Sequence, residues 1–395
     1  MSNTFIETLL EYSKPYESPT SFWKWSGYVS IAAALRDSCW LQQGDSKLFP
    51  NIYVLFLADS GQRKGRPVDF ATKLISDLKN IKVISGRSSI QAILVDLSRV
   101  ETDPTTQKLM KGGAALFFAP ELTAALVNDP AAVGIITDIY EYKEKYDKGL
   151  VGGKIVLEHI VFNFFAASNE ALLKEVYDNR ATQGGLLART FVITPNETRP
   201  ANSLFSLPDT KEAYAALLGK LKMISNLKGV FTITQAARDM YDSWYIPFKN
   251  SLVKKKDTIG VLGRIHTGIL KLSLILAAND LTLEVSANHI EEAIAETLKL
   301  LPNYVMFTTA GGTSDIAECG RRVLDALITE EAIKAGYKVS RKKLLRDHWL
   351  HFTGETLDSF ISVAEGGDMI KTAVNGTDTY YYLTEVGRNK MIIGE

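Results

Sequence analysis

The sequence has few of the residues that mark disulfide-rich or zinc-dependent proteins. Only two cysteines, Cys39 and Cys319, occur in 395 residues, and they lie far apart and outside any metal-ligand spacing. Five histidines are scattered along the chain without an HExxH motif. The shortage of cysteine argues against a disulfide framework and favours a reducing cytoplasm. The histidines give no indication of a metalloprotease.

A net charge and long apolar runs are also missing. The 45 basic residues balance the 45 acidic ones, so contact with a nucleic acid would have to come from local patches. The N-terminus lacks the basic start and apolar core of a signal peptide, and no apolar run approaches the roughly 20 residues that cross a bilayer. We therefore expect a cytoplasmic protein without a membrane partner. The length and the 46% hydrophobic content predict more than one domain.

The stretch from Pro50 to Phe70 is the most informative in the chain. Residues Ile52 to Leu57 form an unbroken apolar run of strand length, which is typical of a strand buried on both faces of a sheet. A polar loop follows, and helical spacing begins near Pro67. A strand, a tight loop with a lysine and a helix occur in this order in phosphate-binding P-loops.

The loop matches the P-loop pattern G-x-x-x-x-G-K-[ST] only in part. Lys64 occupies the position of the phosphate-binding lysine, and Ser60 and Gly61 are small residues that let backbone amides turn toward an anion. Three other positions depart from the pattern, where the first glycine, the second glycine and the magnesium-binding hydroxyl residue are replaced by Ala58, Arg63 and Gly65. The alternative is a basic turn between a strand and a helix of an α/β protein.

The order of features along the chain is more specific than the loop alone. A Ser-Pro helix start at Ser18, an aromatic-rich helix predicted from Ser21 to Trp40, a Gly-Asp turn and a Ser-Gly-x-x-Lys loop follow one another. This order resembles a family of P-loop proteins from phages and mobile elements, which look like AAA+ or RecA-like replicative helicases and primase-associated ATPases. The resemblance covers roughly Thr4 to Leu300. It implies ATP and Mg²⁺ as cofactors, and self-association into a ring.

The resemblance also implies three catalytic residues. Glu121 lies at the end of an apolar strand predicted from Ala114 to Leu122, where a Walker B carboxylate could meet magnesium or orient the attacking water. Asn169, or its neighbour Ser168, would be a polar sensor after the next strand, and Arg189 would reach the γ-phosphate bound by a neighbouring subunit. The alternatives are a Pro-Glu helix start for Glu121, a helix cap for Asn169 and an ion pair in the core for Arg189.

Two helical segments carry further candidates. Residues 131–146 are predicted to be helical, and their interleaved tyrosines and lysines could stack on single-stranded nucleic acid or simply face water. Residues 209–301 are predicted to form a helical lid with apolar residues at three- and four-residue spacing. In the resemblance, Arg264 and Lys271 of this lid face the nucleotide phosphates. The alternative is a helix whose basic side points to water.

The last eighty or so residues are predicted to form a winged helix, with three helices and a hairpin turning at Asn375-Gly376. Its second helix carries four basic residues that could hold DNA phosphates, namely Arg341, Lys342, Lys343 and Arg346. The third helix carries Glu355 and Asp358 and no Lys or Arg. This acidity argues against reading of bases, and favours non-specific DNA contact or docking of a protein.

The sequence therefore predicts an α/β P-loop NTPase core of the AAA+ or RecA-like type. Its parts are an N-terminal helical segment (1–45), the core (46–200), a helical lid (201–310) and a winged helix (311–395). The expected function is that of a phage or mobile-element replication ATPase, a ring-forming helicase or DNA-remodelling protein with a degenerate nucleotide site. The alternative is a non-catalytic initiator, helicase loader or scaffold. The expected partners are single-stranded or non-specific DNA, further copies of the chain and other replication proteins.

Overall fold

The structure is a computed structural model. It describes residues 3–79, 81–85, 93–95, 97, 101–102, 109–110, 114–119, 130–150, 153–169, 185–195, 197–202, 210–252, 260–304, 315–349 and 351–392. The chain divides into two compact units, Met1–Thr308 and Thr309–Glu395. The predicted α/β class is confirmed, because unit 1 contains a sheet of parallel strands with helices packed against it.

Unit 1 contains both helices and strands. Its helices are α1 (Phe5–Ser13), α2 (Thr20–Leu35), α3 (Gly65–Asp77), α4 (Pro130–Asp138), α5 (Lys211–Ser225), α6 (Gln235–Ser251), α7 (Val261–Asn279) and α8 (Ala287–Leu298). Its strands are β1 (Cys39–Gln43), β2 (Ser46–Leu48), β3 (Tyr53–Leu57), β4 (Lys82–Ser85), β5 (Glu101–Thr102), β6 (Leu109–Met110), β7 (Ala114–Ala119), β8 (Lys143–Leu150), β9 (Gly153–Ser168), β10 (Thr190–Ile193), β11 (Gly229–Ile233) and β12 (Glu284–Val285).

In the main sheet, β3 lies between β9 and β10, the last two strands of that sheet in chain order. The order of its parallel strands is β10-β3-β9-β7-β4, with Tyr53 opposite Thr190 on one side and Phe164 on the other. After β3 the chain crosses to β4 at the far edge and returns strand by strand. The carboxyl end of β3 therefore lies at a topological switch point, the place where open α/β sheets bind ligands.

The apolar sequence of β3 and the N-terminal helices explain the core. All five residues of β3 are buried, as the continuous apolar run predicts. Helix α1 begins with a capping box between Thr4 and Glu7, and α2 packs against both α1 and α3. The predicted helix from Ser21 to Trp40 is too long: it ends at Leu35, because Arg36 turns to a φ of 51°, and Trp40 lies in β1.

A second sheet joins the N-terminal segment to the region predicted as a lid. Its order is β12-β11-β1-β2, and β1 pairs in parallel with β11. The prediction that 209–301 is mostly helical is confirmed for α5 to α8 but missed the five-residue strand β11. This strand has only Phe231 fully buried, so its sequence lacks a strong apolar pattern.

The prediction of a helix over residues 131–146 is wrong in its second half. Helix α4 ends at Asp138, and β8 then pairs antiparallel with the first half of β9, from Lys143 opposite Ile160 to Leu150 opposite Gly153. The two form a hairpin that continues β9 beyond its parallel neighbours. The sequence interpretation therefore assigned the lysines of β8 to the wrong kind of element.

Helix α7 is long and largely buried. It is long and apolar enough to cross a membrane by length and composition alone, although 72% of the relevant window is buried within the protein. The core helix of a globular domain passes the same test. Its one fully buried charged residue is Lys271.

Unit 2 has its own core, with Val323, Leu327, Leu357 and Tyr381 buried among its members. Its helices are α9 (Asp315–Leu327), α10 (Glu330–Lys334), α11 (Arg341–Asp347), α12 (Gly354–Gly366) and α13 (Glu385–Ile392). Its strands β13 (Lys338–Ser340), β14 (Ile370–Asn375) and β15 (Asp378–Leu383) form an antiparallel sheet in the order β13-β15-β14. The hairpin predicted at Asn375-Gly376 joins β14 to β15.

Candidate functional site

The loop between β3 and α3 lies at the carboxyl edge of the main sheet. Residues 59–63 are exposed, and Gly61 takes a φ of 93°, which a side chain would oppose. Lys64 caps α3, and its Nζ donates hydrogen bonds back to the carbonyl oxygens of Ala58 at 2.8 Å and Asp59 at 3.4 Å. Its ammonium group therefore lies against the first residues of the loop, whose following residues Ser60 and Gly61 are exposed.

Arg63 adopts a backbone conformation that is usual for glycine. Its φ is 53°, although an arginine is disfavoured there. Two contacts with the segment before α2 hold it: Ser18 Oγ donates to the Arg63 carbonyl at 2.8 Å, and Arg63 Nε lies 3.0 Å from Glu17 Oε2. The position where the P-loop pattern has its second glycine thus keeps a glycine-like backbone without the glycine.

A cavity of about 400 Å³ adjoins the loop. Its lining among the described residues combines the segment before α2, the first turns of α3 and the chain after β10, namely Pro15, Tyr16, Glu17, Ser18, Arg63, Gly65, Arg66, Asp69 and Asn202. The guanidinium of Arg66 lies 3.9 Å from the centre of the Tyr16 ring. The volume falls within the range of small-molecule sites, about 300–1,000 Å³.

Arg199 and Asn202 form hydrogen bonds with the segment between α1 and α2, which lines one side of this cavity. Arg199 donates to the carbonyl oxygens of Ser13 at 2.8 Å and Tyr16 at 3.2 Å, and to Thr20 Oγ1 at 2.6 Å. Asn202 Nδ2 donates to the carbonyl of Pro15 at 3.0 Å. A segment after the last strand of the sheet therefore fixes the turn between α1 and α2 beside the loop.

The strand next to β3 brings Asn169 to the same edge. Ser168 pairs with Leu57, and its carbonyl accepts a hydrogen bond from the Ala58 amide at 3.3 Å. Asn169 is the next residue and is partly buried. Strand β7 also ends at this edge, since Ala119 pairs with Ala166. Glu121 lies two residues beyond β7 and outside the described residues.

Arg189, Arg264 and Lys271 lie at the opposite, amino edge of the sheet. Arg189 immediately precedes β10, and Arg264 Nη1 lies 3.7 Å from Glu141 Oε1. Arg189 and Arg264 line one small cavity together with Tyr140, Glu141, Thr297 and Tyr304. The length of β3, about 16 Å at 3.3 Å per residue, separates this edge from the loop. The structure therefore does not bring Arg264 to Lys64 of its own chain, contrary to the sequence interpretation.

Lys271 is buried in the core near the amino edge of the sheet, where it contacts Asn51. It is 1% exposed, its Nζ donates to Asn51 Oδ1 at 2.9 Å, and it lies 3.7 Å from the centre of the Tyr140 ring. Burial lowers the pKa of Lys271 to about 7, with attraction to Glu141 and repulsion from Arg189 as smaller effects. Asn51 in turn donates to the carbonyls of Tyr140 and Phe162, each at 2.9 Å.

Three of the four basic residues predicted to hold DNA phosphates lie next to carboxylates of unit 2. Arg341 makes a two-pronged contact with Asp358, at 2.8 and 3.2 Å, and Lys343 pairs with Glu331. Arg346 Nε lies 3.1 Å from Asp347 Oδ1. Hydrogen bonding to Asp358 raises the pKa of Arg341. Of the four residues predicted to hold DNA phosphates, at least three already have carboxylate partners, and the fourth is Lys342.

Comparison with known proteins finds no matching family model and no curated protein related in sequence. Within the described ranges, no group of three or more His, Cys, Asp or Glu side chains could hold a metal ion. Fold and site geometry therefore carry the functional argument. Tyr16 and Arg66, which line the 400 Å³ cavity, went unnoticed in the sequence, as did Arg199, which donates to the Tyr16 carbonyl. These residues follow no motif and meet only in three dimensions.

Proposed function

We propose that the protein binds a nucleotide at the carboxyl edge of its main sheet. The observation that carries this proposal is the 400 Å³ cavity beside the loop of Ser60, Gly61 and Lys64, at the switch point of a parallel sheet. Lys64 brings an ammonium group and α3 begins at the loop, so a phosphate there would meet a fixed positive charge and the positive end of a helix. The strand order is compatible with a core of the AAA+ class.

In this proposal the phosphates lie over the loop and the nucleoside occupies the adjoining cavity. Lys64 now donates hydrogen bonds to the carbonyls of Ala58 and Asp59, and a bound phosphate would replace these acceptors. The base and ribose would meet Tyr16, Arg66 and Asn202. Tyr16 is 4% exposed and stacked on Trp23, so it forms a wall rather than a mobile lid.

We further propose slow, Mg²⁺-dependent hydrolysis of ATP, in line with the resemblance found in the sequence. Magnesium at such sites is usually held by the P-loop hydroxyl and a Walker B aspartate, and these positions hold Gly65 and Pro120. Glu121 remains as the carboxylate and Asn169 as the polar group on the neighbouring strand. Poor placement of the metal would reduce the rate, because phosphoryl transfer is catalysed mainly by positioning and electrostatics.

The proposed biological setting is DNA replication in a phage or mobile element, with the chain acting as a ring. Arg189 lies at the edge opposite the loop, so it could act on a nucleotide only in a neighbouring copy. Mass measurement at micromolar protein with a non-hydrolysable nucleotide tests the ring. A strictly monomeric protein under all such conditions would remove this role from Arg189.

A second candidate is a non-catalytic initiator, loader or scaffold, and the unit 2 geometry favours it. Arg341 and Lys343 are engaged by carboxylates, and α12 exposes Glu355 and Asp358. Phosphates of DNA would have to compete with these partners. Trp349 is 72% exposed, and tryptophan is enriched at the centres of protein interfaces. These features favour docking of a protein over a grip on DNA.

An ATPase assay on the purified full-length protein, with and without single-stranded DNA, separates the two candidates. The enzyme hypothesis expects slow release of phosphate that requires Mg²⁺ and rises with DNA. Nucleotide binding without turnover under all these conditions would favour the scaffold. Absence of both binding and turnover would contradict the proposed site itself.

A further inference from the structure

The cavity at the amino edge combines an excess of positive charge with limited solvent. Arg189, Arg264 and Lys271 surround it or lie just behind it, and among the described residues that line it Glu141 is the only carboxylate. Arg189 is partly buried and Lys271 fully so. Like charges brought together at reduced dielectric repel one another strongly, so this arrangement is costly unless something offsets it.

Two donors at this cavity have no hydrogen-bond partner among the described residues. Arg189 Nη1 donates to the Gly185 carbonyl at 2.8 Å, but its buried Nε donates to nothing. The Thr297 hydroxyl lines the cavity, is unpartnered, and belongs to a side chain that is only 4% exposed. Leaving a buried polar group without a partner is unfavourable, because the group has lost its hydrogen bonds to water. Both groups can donate to the same kind of ligand, an anion with oxygen acceptors.

The size of the cavity limits that ligand. Its volume is about 30 Å³, which is space for one or two water-sized groups and far less than a nucleoside requires. Arg264, on the rim, keeps about half of its side chain exposed. A ligand could therefore place one or two oxygens inside and leave the rest of the molecule outside.

We propose that Arg189, Arg264 and Thr297 form a binding site for a small oxyanion of the phosphate type, separate from the loop of Lys64. Arg189 and Thr297 donate to the oxygens inside the cavity, and Arg264 donates from the rim after leaving Glu141. Guanidinium groups match the geometry of phosphate oxygens, and the hydroxyl adds a third direction of donation. The site does not depend on nucleotide binding at the loop.

The oxyanion can come from free phosphate or from the terminal phosphoryl group of a nucleotide on another copy of the chain. The chemistry is the same in both cases, because only the terminal oxygens enter. A single chain is sufficient for the first source, whereas the second requires an oligomer. Binding of inorganic phosphate by the monomer, and its displacement when a nucleotide-loaded oligomer forms, would therefore assign both sources to the same site.

The test is titration of inorganic phosphate into the full-length Lys64→Ala protein, which lacks the ammonium of the loop. We expect Arg264→Gln to weaken phosphate binding at least tenfold, while Arg238→Gln, a change of an exposed arginine on α6, leaves it unchanged. Glu141→Gln should tighten binding several-fold because it releases Arg264 from its ion pair. A purely structural role for Glu141 would not produce tighter binding.

Thr297→Val guards against an effect that comes only from misfolding. The change keeps the shape and removes an unpartnered buried hydroxyl, so thermal stability in phosphate-free buffer should be equal or higher. Phosphate affinity should nevertheless fall about threefold. Equal phosphate affinity in the Arg264→Gln, Thr297→Val and parent proteins would overturn the proposal. That result would not contradict nucleotide binding at the loop, because all of these proteins lack Lys64 and the experiment does not test the loop.

Discussion

The basic side chains at the two ends of the parallel sheet in unit 1 differ in their exposure to solvent. At the carboxyl end, Arg63 and Arg66 are exposed around a cavity of about 400 Å³, and Lys64 reaches over an exposed loop. At the amino end, Lys271 is fully buried and Arg189 partly so, beside a cavity of about 30 Å³. The first end has space for a ligand of small-molecule size, whereas the second has room only for the end of one.

This difference assigns separate roles to residues that the sequence grouped together. Arg264 and Lys64 were expected at one nucleotide, but they lie at opposite ends of β3. Lys271 lies near Arg264 on the same helix, yet it is a core residue that holds Asn51 and faces the Tyr140 ring. Substitutions at the two ends should therefore affect different measurements.

The largest effect is expected from Glu121→Gln. Loss of the carboxylate should abolish the slow ATP hydrolysis, a fall of roughly a hundredfold or more, because it removes the group that would orient water or hold magnesium. Nucleotide affinity should persist, since the loop and its cavity are unchanged. Steady-state phosphate release and nucleotide titration on the same preparation check this. Turnover that survives the substitution would show that the Walker B strand has been misassigned.

Lys64→Ala should weaken nucleotide binding by roughly ten- to a hundredfold, the value of a charge-assisted hydrogen bond of about 1.5–3 kcal/mol. The matched control is Lys73→Ala, which removes an exposed lysine from the same helix, over the Tyr214 ring. Arg264→Gln should also leave this affinity unchanged in the monomer, because Arg264 lies at the other end of the sheet. Equal nucleotide affinity in Lys64→Ala and wild type would refute the loop site.

Local patterns were sufficient to predict the elements that carry the carboxyl edge. The run of Ile52 to Leu57 predicts a buried strand, and the helix after the loop follows from spacing and Pro67. The α/β class and the carboxyl-edge position of Asn169 follow from the same reasoning, because the apolar run before Ser168 is also a buried strand. The functions of these residues remain predictions.

What the sequence could not predict depends on contacts between distant segments. Arg63 takes a glycine-like φ because Ser18 and Glu17, some 45 residues earlier, hold it. The position of Arg264 at the amino edge could not be predicted, because the spacing of a helix shows which face is apolar but not where the helix docks. In residues 143–150, alternating charges and tyrosines suit an exposed helix as well as a strand, and pairing with β9 decides between them.

The buried side chain of Lys271 predicts a pH dependence of stability. Its pKa is about 7 in the folded protein and about 10.4 when unfolded, so the unfolded chain binds more protons between these values. The free energy of unfolding therefore rises with pH across this window, by about 2 kcal/mol from pH 7 to pH 9 for this group. Urea unfolding of wild type and Lys271→Met at both pH values measures it. A slope that is the same in both proteins would contradict the assignment.

The smallest effect, and the sharpest test of the degenerate loop, is expected from restoring a hydroxyl at position 65. A Cβ atom added to Gly65 meets nothing within 4 Å, and the residue begins α3 without a positive φ, so a side chain fits without strain. If the loop is a P-loop that has lost its magnesium ligand, Gly65→Ser should raise Mg²⁺-dependent nucleotide affinity or turnover about three- to tenfold, the range of roughly 0.7–1.4 kcal/mol for one added ligand contact. Gly65→Ala is the matched control, because it adds the same Cβ and removes the same backbone freedom without an oxygen. An increase seen only with serine, and only when Mg²⁺ is present, ties the effect to metal coordination at the carboxyl edge. Equal behaviour of the serine and alanine proteins would mean that the loop does not place a metal at position 65, and the case for slow hydrolysis there would then rest on Glu121 alone.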